Sequence, residues 1–232
     1  MRIWDVNPGY LNRQSLLGEH RELHAIVSIF INNRKGYSRH PETLRWQGFG
    51  WALAQRHRLL AEEMSLRGYA DRSPVELKTG KLIWPKVFVD PPAEQFNILT
   101  GKYQNKEQGR IPLPGNIQQL WEQHKHSVMA RDVNEYKRIG RRVASCKSGE
   151  GIRDIYPELV RLLRCPPTEG GFRNTVQHMW GYVAPYSLLS GRILEEMPPR
   201  KLLEVIQNLA FQHDVVYLKE STALGELPAW KI

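Results

Sequence analysis

The sequence has only two cysteines, Cys146 and Cys165, among its 232 residues. Two cysteines give neither a disulfide framework nor the spacing of a metal-binding motif, which indicates reduced thiols. No apolar run is long enough to span a membrane, and polar residues interrupt the start of the chain where a signal peptide would be apolar. We therefore expect a cytoplasmic protein with no membrane partner.

Signatures of several enzyme classes are missing as well. The sequence contains no P-loop, dinucleotide fingerprint, nucleophile elbow or cysteine metal motif, and no alternating stretch long enough for a sheet. Apolar residues recur instead at helical spacing, which predicts an all-α fold. Because the cofactor-binding motifs are missing, we expect no cofactor. We expect helices from Asn7 to about Asn33, from Pro41, over residues 51–67, and near residues 117–129, 133–144, 152–163, 172–182 and 200–212.

Proline and glycine are concentrated between Asp71 and Pro114, where they break any long helix. Residues 82–84 and 87–89 in this stretch are predicted to be short extended pieces. We therefore predict two helical domains, residues 1–80 and 116–232, joined by a linker or wrapping segment over residues 81–115.

The net charge of +9 and the pI near 9.6 favour a polyanionic partner, nucleic acid above all. One basic loop interleaves cations with an aromatic residue, a pattern suited to phosphate contacts and base stacking, although a solvated loop is nearly as common. A basic helix of the second domain would extend the same nucleic-acid-binding surface. The candidate DNA-binding residues of these two regions are Arg34, Lys35, Tyr37, Arg39, Arg138, Arg141 and Arg142.

The first residues combine an α-amine with a carboxylate on an amphipathic helix. An α-amine has an unperturbed pKa of about 7.7–8.0, against about 10.4 for lysine, so it is the more readily available amine nucleophile. The amine of Met1 and a nearby carboxylate from the run Glu19–His24 would together be sufficient for Schiff-base chemistry at a sugar carbon.

Residues 1–80 contain several short pieces in a fixed order and spacing, which are Arg2-Ile3, Arg21-Glu22-Leu23, Pro41 leading into Gly48-Phe49-Gly50, and Arg67-Gly68-Tyr69. In these pieces the region resembles the bacteriophage-type pyrimidine dimer DNA glycosylase (endonuclease V) family. That family is all-helical, and its N-terminal amine attacks the deoxyribose C1′ of a damaged nucleotide.

The resemblance implies that Met1 supplies the amine, Glu22 the catalytic carboxylate, and Arg2 and Arg21 contacts to phosphate or the minor groove. Arg2 is too bulky for ordinary removal of the initiator methionine, so we expect Met1 to be retained. The expected activity is a DNA repair glycosylase with AP-lyase activity on pyrimidine dimers or a related lesion in double-stranded DNA. Two alternatives are a non-catalytic nucleic-acid-binding adaptor and a glycosylase for another modified base or nucleoside.

The region from Ile117 to Tyr182 contains a second set of pieces, which are residues 124–130, Tyr136 with residues 140–144, and residues 167–168 with 174–178 and 181–182. In these pieces it resembles a helical bacterial domain family of unknown function, which implies no chemistry. Four polar side chains of this region either form a pocket or tie helices together, and they are His124, Asn174, Gln177 and His178.

Two assignments stay open on the first long helix. Glu22 is either catalytic or a surface carboxylate paired with Arg21 or His24, and Glu19 is a solvated neighbour or a second carboxylate. His20 and His24 lie one turn apart, but Arg21 stands where a zincin helix needs glutamate, so we predict no metal.

Overall fold

The computed structural model describes residues 1–75, 77, 82–146, 151–189 and 191–231. All regular structure in these residues is helical and none of it is β-strand, which confirms the predicted all-α fold. The chain divides into two compact units, Met1–Gly109 and Arg110–Ile232. No helix in the described ranges combines the length and apolarity that a membrane crossing requires.

The described residues of the first unit form four α-helices, which are α1 (Arg13–Asn32), α2 (Pro41–Trp46), α3 (Gly50–Leu66) and α4 (Pro92–Lys102). Helix α1 packs against α3, and fully buried leucines of both helices, such as Leu23 and Leu60, fill the space between them. Burial of each large apolar side chain contributes roughly 1.5–3 kcal/mol to the stability of the folded unit.

The prediction that α1 starts at Asn7 is wrong. Asn7 accepts a hydrogen bond from the Gly9 amide (2.8 Å) and caps only the short 3-10 turn Pro8–Tyr10. The chain is extended at Leu11, and Asn12 then caps α1 by accepting from the Ser15 amide (2.9 Å). The predicted end is confirmed, because Asn33 adopts the left-handed conformation (φ 48°) that terminates the helix.

Helix α3 ends in a turn that sends the chain back along the helix. Gly68 has φ +78°, which glycine adopts without strain, and its amide donates to the Ser65 carbonyl (2.9 Å). The Tyr69 amide donates to the Met64 carbonyl (2.9 Å), completing a Schellman motif.

The segment predicted as a linker or wrapping region contains a helix that we did not predict. Pro91 and Pro92 do not prevent it, because they occupy the N-cap and first helical positions, where no amide donor is needed. Residues 82–84 and 87–89 form no strand. Helix α4 belongs to the first unit, and its Gln95 side chain accepts from the Asp5 amide (2.7 Å).

The second unit consists of eight α-helices in its described residues, which are α5 (Ile117–Met129), α6 (Val133–Ser145), α7 (Ile152–Leu163), α8 (Glu169–Val183), α9 (Gly191–Glu196), α10 (Pro199–Gln212), α11 (Val216–Lys219) and α12 (Thr222–Glu226). The five helices predicted here are present. Buried Arg131 binds Glu226 through two hydrogen bonds (2.8 and 2.9 Å), so this arginine stabilises the core.

Candidate active site at the N-terminus

The backbone of residues 2–6 is held by side chains from all four helices of the first unit. Three of its amides donate to acceptors on α1 and α4, which are Arg2 to Glu22, Trp4 to Glu19 (3.2 Å) and Asp5 to Gln95 (2.7 Å). Two of its carbonyls accept from arginines of α2 and α3, which are Ile3 from Arg45 (3.3 Å) and Val6 from Arg56 (2.8 Å). The terminus is therefore fixed relative to the helices.

The structure brings Glu22 close to the α-amine. Oε2 of Glu22 accepts a hydrogen bond from the backbone N–H of Arg2. Only three covalent bonds separate that nitrogen from the amine of Met1, so the amine lies within about 3.7 Å of it. The carboxylate is then within about 6 Å of the amine, and Met1 is itself only partly exposed.

Glu19 has a different role from Glu22. It is buried, and its two carboxylate oxygens accept from Arg56 Nε (2.6 Å) and Nη2 (2.8 Å). Burial raises the pKa of Glu19 to about 7, against the opposing effect of Arg56. This pair joins α1 to α3 and supports the terminal segment, because Arg56 also binds the Val6 carbonyl.

The two arginines assigned to DNA near the terminus differ in their surroundings. The Arg2 side chain is half-buried, forms an ion pair with Asp90 (2.7 Å) and lies over the Trp4 ring. Arg21 is exposed on α1, and its Nε donates a hydrogen bond to the Leu17 carbonyl (3.2 Å). Arg21 is therefore the more accessible cation for a phosphate.

The basic loop after α1 is exposed and borders a cavity. The side chains of Arg34, Lys35, Tyr37 and Arg39 all face solvent. Arg34 and Lys35 line a cavity of about 450 Å³ together with Ile29 of α1. Ile29 lies seven residues after Glu22, hence on the same helix face and about 10 Å along the axis.

An aromatic cavity of about 670 Å³ adjoins α2, with Phe49, Trp84 and Phe88 among its lining residues. Arg45 also lines it and bonds to the Ile3 carbonyl (3.3 Å), so the cavity borders the terminal segment. Its aromatic faces are of the kind on which unstacked bases stack.

The basic residues of α6 are partly offset by carboxylates. Arg138 forms ion pairs with Glu135 (2.8 Å) and Glu158, and Arg142 approaches Glu158 (3.8 Å). Arg141 is exposed, and its Nε donates a hydrogen bond to the Lys137 carbonyl of the same helix (3.3 Å). Among these three arginines, Arg141 has the charge most available to a polyanion.

The four polar residues that the sequence analysis grouped in the second unit differ in their burial. His124 is fully buried, with Nδ1 2.9 Å from the Leu120 carbonyl oxygen. Gln177 and His178 are exposed on α8, and Asn174 is partly exposed. His124 therefore contributes to helix packing, which is one of the two interpretations that the sequence left open.

Buried histidines should make this unit sensitive to acid. Burial lowers the pKa of His124 and of His126 to about 4, below the ordinary value of 6.5. Below pH 6.5 the unfolded chain binds protons that the folded chain does not, so stability falls as pH decreases towards 4. The expected slope is about 1.4 kcal/mol per pH unit for each histidine.

Urea unfolding of the full chain between pH 7.5 and 5 measures this effect. His124→Phe should flatten the dependence of unfolding free energy on pH, whereas His213→Phe, at an exposed position, should not. Equal slopes for the wild type and His124→Phe would contradict the assignment.

Two residues that no sequence motif indicates lie beside His20 and His24 in the fold. Four side chains meet between α1, α3 and the chain after α3, here named the histidine–aspartate cluster: His20, His24, His57 and Asp71. No sequence signal marks His57, which sits in an otherwise ordinary helix, or Asp71, which opens the proline-rich stretch.

Comparison with known protein families gives matches for both units. Residues 1–77 match the family model described as pyrimidine dimer DNA glycosylase. Residues 125–187 match a family described as protein of unknown function, DUF1722. The two-part resemblance drawn from the sequence is thereby confirmed. At the family level the first match supports a glycosylase-like function. No curated protein and no solved structure matches the chain.

Proposed function

We propose that this protein is a DNA repair glycosylase with associated AP-lyase activity, which acts on pyrimidine dimers or a related base lesion in double-stranded DNA. The observation that carries the proposal is the hydrogen bond between the Arg2 amide and Glu22, because it holds a carboxylate beside the α-amine. The family match of residues 1–77 supports the substrate class.

In the proposed reaction, the unprotonated amine of Met1 attacks C1′ of the damaged nucleotide. The new C1′–N bond replaces the glycosidic bond, and the base leaves with the bonding electron pair and is protonated. Opening of the sugar ring converts the adduct to an imine. Loss of a C2′ proton then expels the 3′ phosphate by β-elimination. Glu22 stabilises positive charge on the sugar and transfers protons in these steps.

The exposed cations near the terminus would hold the duplex. Arg21 lies on α1 beside Glu22, and Arg34 and Lys35 line a cavity further along the helix. Extruding or exposing the lesion costs a few kcal/mol and favours damaged over sound DNA. The aromatic cavity bordered by Trp84 offers a stacking surface for an unstacked base.

Borohydride trapping on lesion-bearing duplexes tests the proposal directly. A glycosylase-lyase gives a covalent adduct between protein and DNA after reduction of the imine. Salt-sensitive binding without an adduct would favour the non-catalytic adaptor. An adduct formed only with other base modifications would favour the alternative glycosylase.

The basic loop should contribute to the salt dependence of DNA binding. Removing one cation that binds a phosphate makes the slope of log K against log salt shallower by about 0.9. Lys35→Ala or Arg34→Ala should each produce about this change without altering lesion preference, because phosphate contacts position and do not specify. Lys201→Ala, an exposed lysine of α10, is the matched control. If both variants had the same slope of log K against log salt as the wild type, the loop would not contact the DNA phosphates.

A further inference from the structure

The histidine–aspartate cluster joins three separate parts of the first unit. His20 and His24 lie one turn apart on α1 and therefore on one helix face. His57 comes from the middle of α3, and Asp71 follows the turn that ends α3. All three histidines present Nε2 to the same point.

Four separations between the donor atoms are close to those around one tetrahedrally bound small cation, and all the donor atoms lie within 4.8 Å of one another. Nε2 of His24 lies 3.3 Å from Nε2 of His20 and 3.1 Å from Nε2 of His57. Oxygens of the Asp71 carboxylate lie 3.3 Å from His20 Nε2 and 3.5 Å from His57 Nε2. Bonds of about 2.0–2.1 Å at tetrahedral angles around Zn²⁺ separate ligand atoms by about 3.3–3.4 Å.

Hydrogen bonding alone does not account for this arrangement. Nε2 of His24 is within hydrogen-bond distance of three atoms, which are Nε2 of His20, Nε2 of His57 and Oγ of Ser73 (3.2 Å). An imidazole nitrogen carries one proton or one lone pair, so it directs one conventional hydrogen bond. A cation at the point of convergence would use the lone pairs of all three rings at once.

The surroundings resemble those of a closed metal site. The side chains of His20, His57 and Asp71 are 13%, 4% and 14% exposed, and His24 is partly exposed. Asp71 is oriented by Ser73, which donates to Oδ1 through its amide (3.0 Å) and its hydroxyl (3.2 Å). Such supporting hydrogen bonds to a ligand are usual around protein-bound metals.

We propose that the histidine–aspartate cluster binds one Zn²⁺ ion. Three imidazoles and one carboxylate form a tetrahedral ligand set typical of this metal, and four protein ligands with low exposure are typical of a structural site. This assignment replaces the sequence-based prediction of no metal, which considered only His20 and His24.

The ion would stabilise the fold without touching the amine. At 100° per residue, Glu22 lies about 160° around the α1 axis from both His20 and His24. The cluster and the terminal segment therefore flank opposite sides of the helix. The ion fixes α1 against α3 and anchors the chain at Asp71.

Zinc binding by the full chain tests the proposal without reference to cleavage. Protein stripped with a chelator is titrated with Zn²⁺ in competition with a chromophoric chelator, and we expect one equivalent to bind. Co²⁺ should give the intense visible absorption of a four-coordinate site. Zn²⁺ should also raise the Tm of the stripped protein.

Variants locate the ion. His24→Ala and Asp71→Asn should each weaken Zn²⁺ binding by at least about 100-fold, and Ser73→Ala by about 10–100-fold, the range for residues that orient a ligand. His213→Ala, an exposed histidine of the second unit, should bind as the wild type does. Far-UV circular dichroism of each stripped variant should match that of the stripped wild type, so that a loss of binding is separated from a loss of fold.

Two results would overturn the proposal. One is a wild type that binds Zn²⁺ no more tightly than the folded His24→Ala variant. The other is one tightly bound equivalent that survives in both His24→Ala and Asp71→Asn, which would place the ion elsewhere.

Discussion

Acetylation of the Met1 amine, or an N-terminal tag left in place, is expected to abolish strand cleavage and borohydride trapping. An acetylated nitrogen is an amide, whose delocalised lone pair does not attack C1′. A tag moves the new amine by about 3.8 Å for each added residue, away from Glu22. Gel assays on a lesion-bearing duplex, with and without borohydride, measure both activities.

A protein carrying the same tag at its C-terminus is the matched control, and it should cleave at the native rate. Circular dichroism should be unchanged in the blocked protein, since the hydrogen bonds of Trp4, Asp5 and Val6 do not involve the amine. Cleavage at the native rate by the blocked protein would exclude Met1, and Lys35 would become the next candidate nucleophile.

Glu22→Gln is expected to lower the cleavage rate by several orders of magnitude. Positioned acid–base catalysis contributes about 10²–10⁴-fold and electrostatic stabilisation about 10²–10³-fold. The amide oxygen of glutamine still accepts from the Arg2 amide, so the terminus should keep its position. Affinity for damaged DNA should persist, because a carboxylate does not attract phosphate. Single-turnover rates and binding isotherms separate the two quantities.

Glu204→Gln, at an exposed position of α10, makes the same change of charge and should leave the rate unaltered. Loss of folded stability in Glu22→Gln would show that this carboxylate is structural. That outcome is the one expected for Glu19→Gln, because the substitution leaves the buried Arg56 guanidinium without its carboxylate.

The helices could be predicted because apolar spacing is local in sequence, whereas the pairing of Glu22 with the terminus was predicted from the family resemblance. Apolar spacing marks α1 and α3, and about twenty residues separate Glu22 from the amine. The predicted start of α1 is wrong because Asn7 and Asn12 are both good capping residues. Sequence alone does not show that the chain becomes extended between them. Helix α4 could not be recognised because prolines inside a segment usually indicate that no helix forms there.

The cluster could not be predicted because its geometry depends on tertiary packing. His20 and His24 are visible as a pair, yet two histidines on one helix are common without a metal. The meeting with His57 requires the specific rotation of α3 against α1. The meeting with Asp71 requires the left-handed turn at Gly68. Neither follows from residue spacing along the chain.

The hydrogen bond from the Asp5 amide to Gln95 has a consequence for the order of synthesis. The ribosome makes Asp5 ninety residues before Gln95, a delay of about 5–18 s at ordinary rates of translation. The acceptors Glu19 and Glu22 follow the terminal segment within about twenty residues, so the Asp5 amide is the one that stays without its partner until α4 has been made.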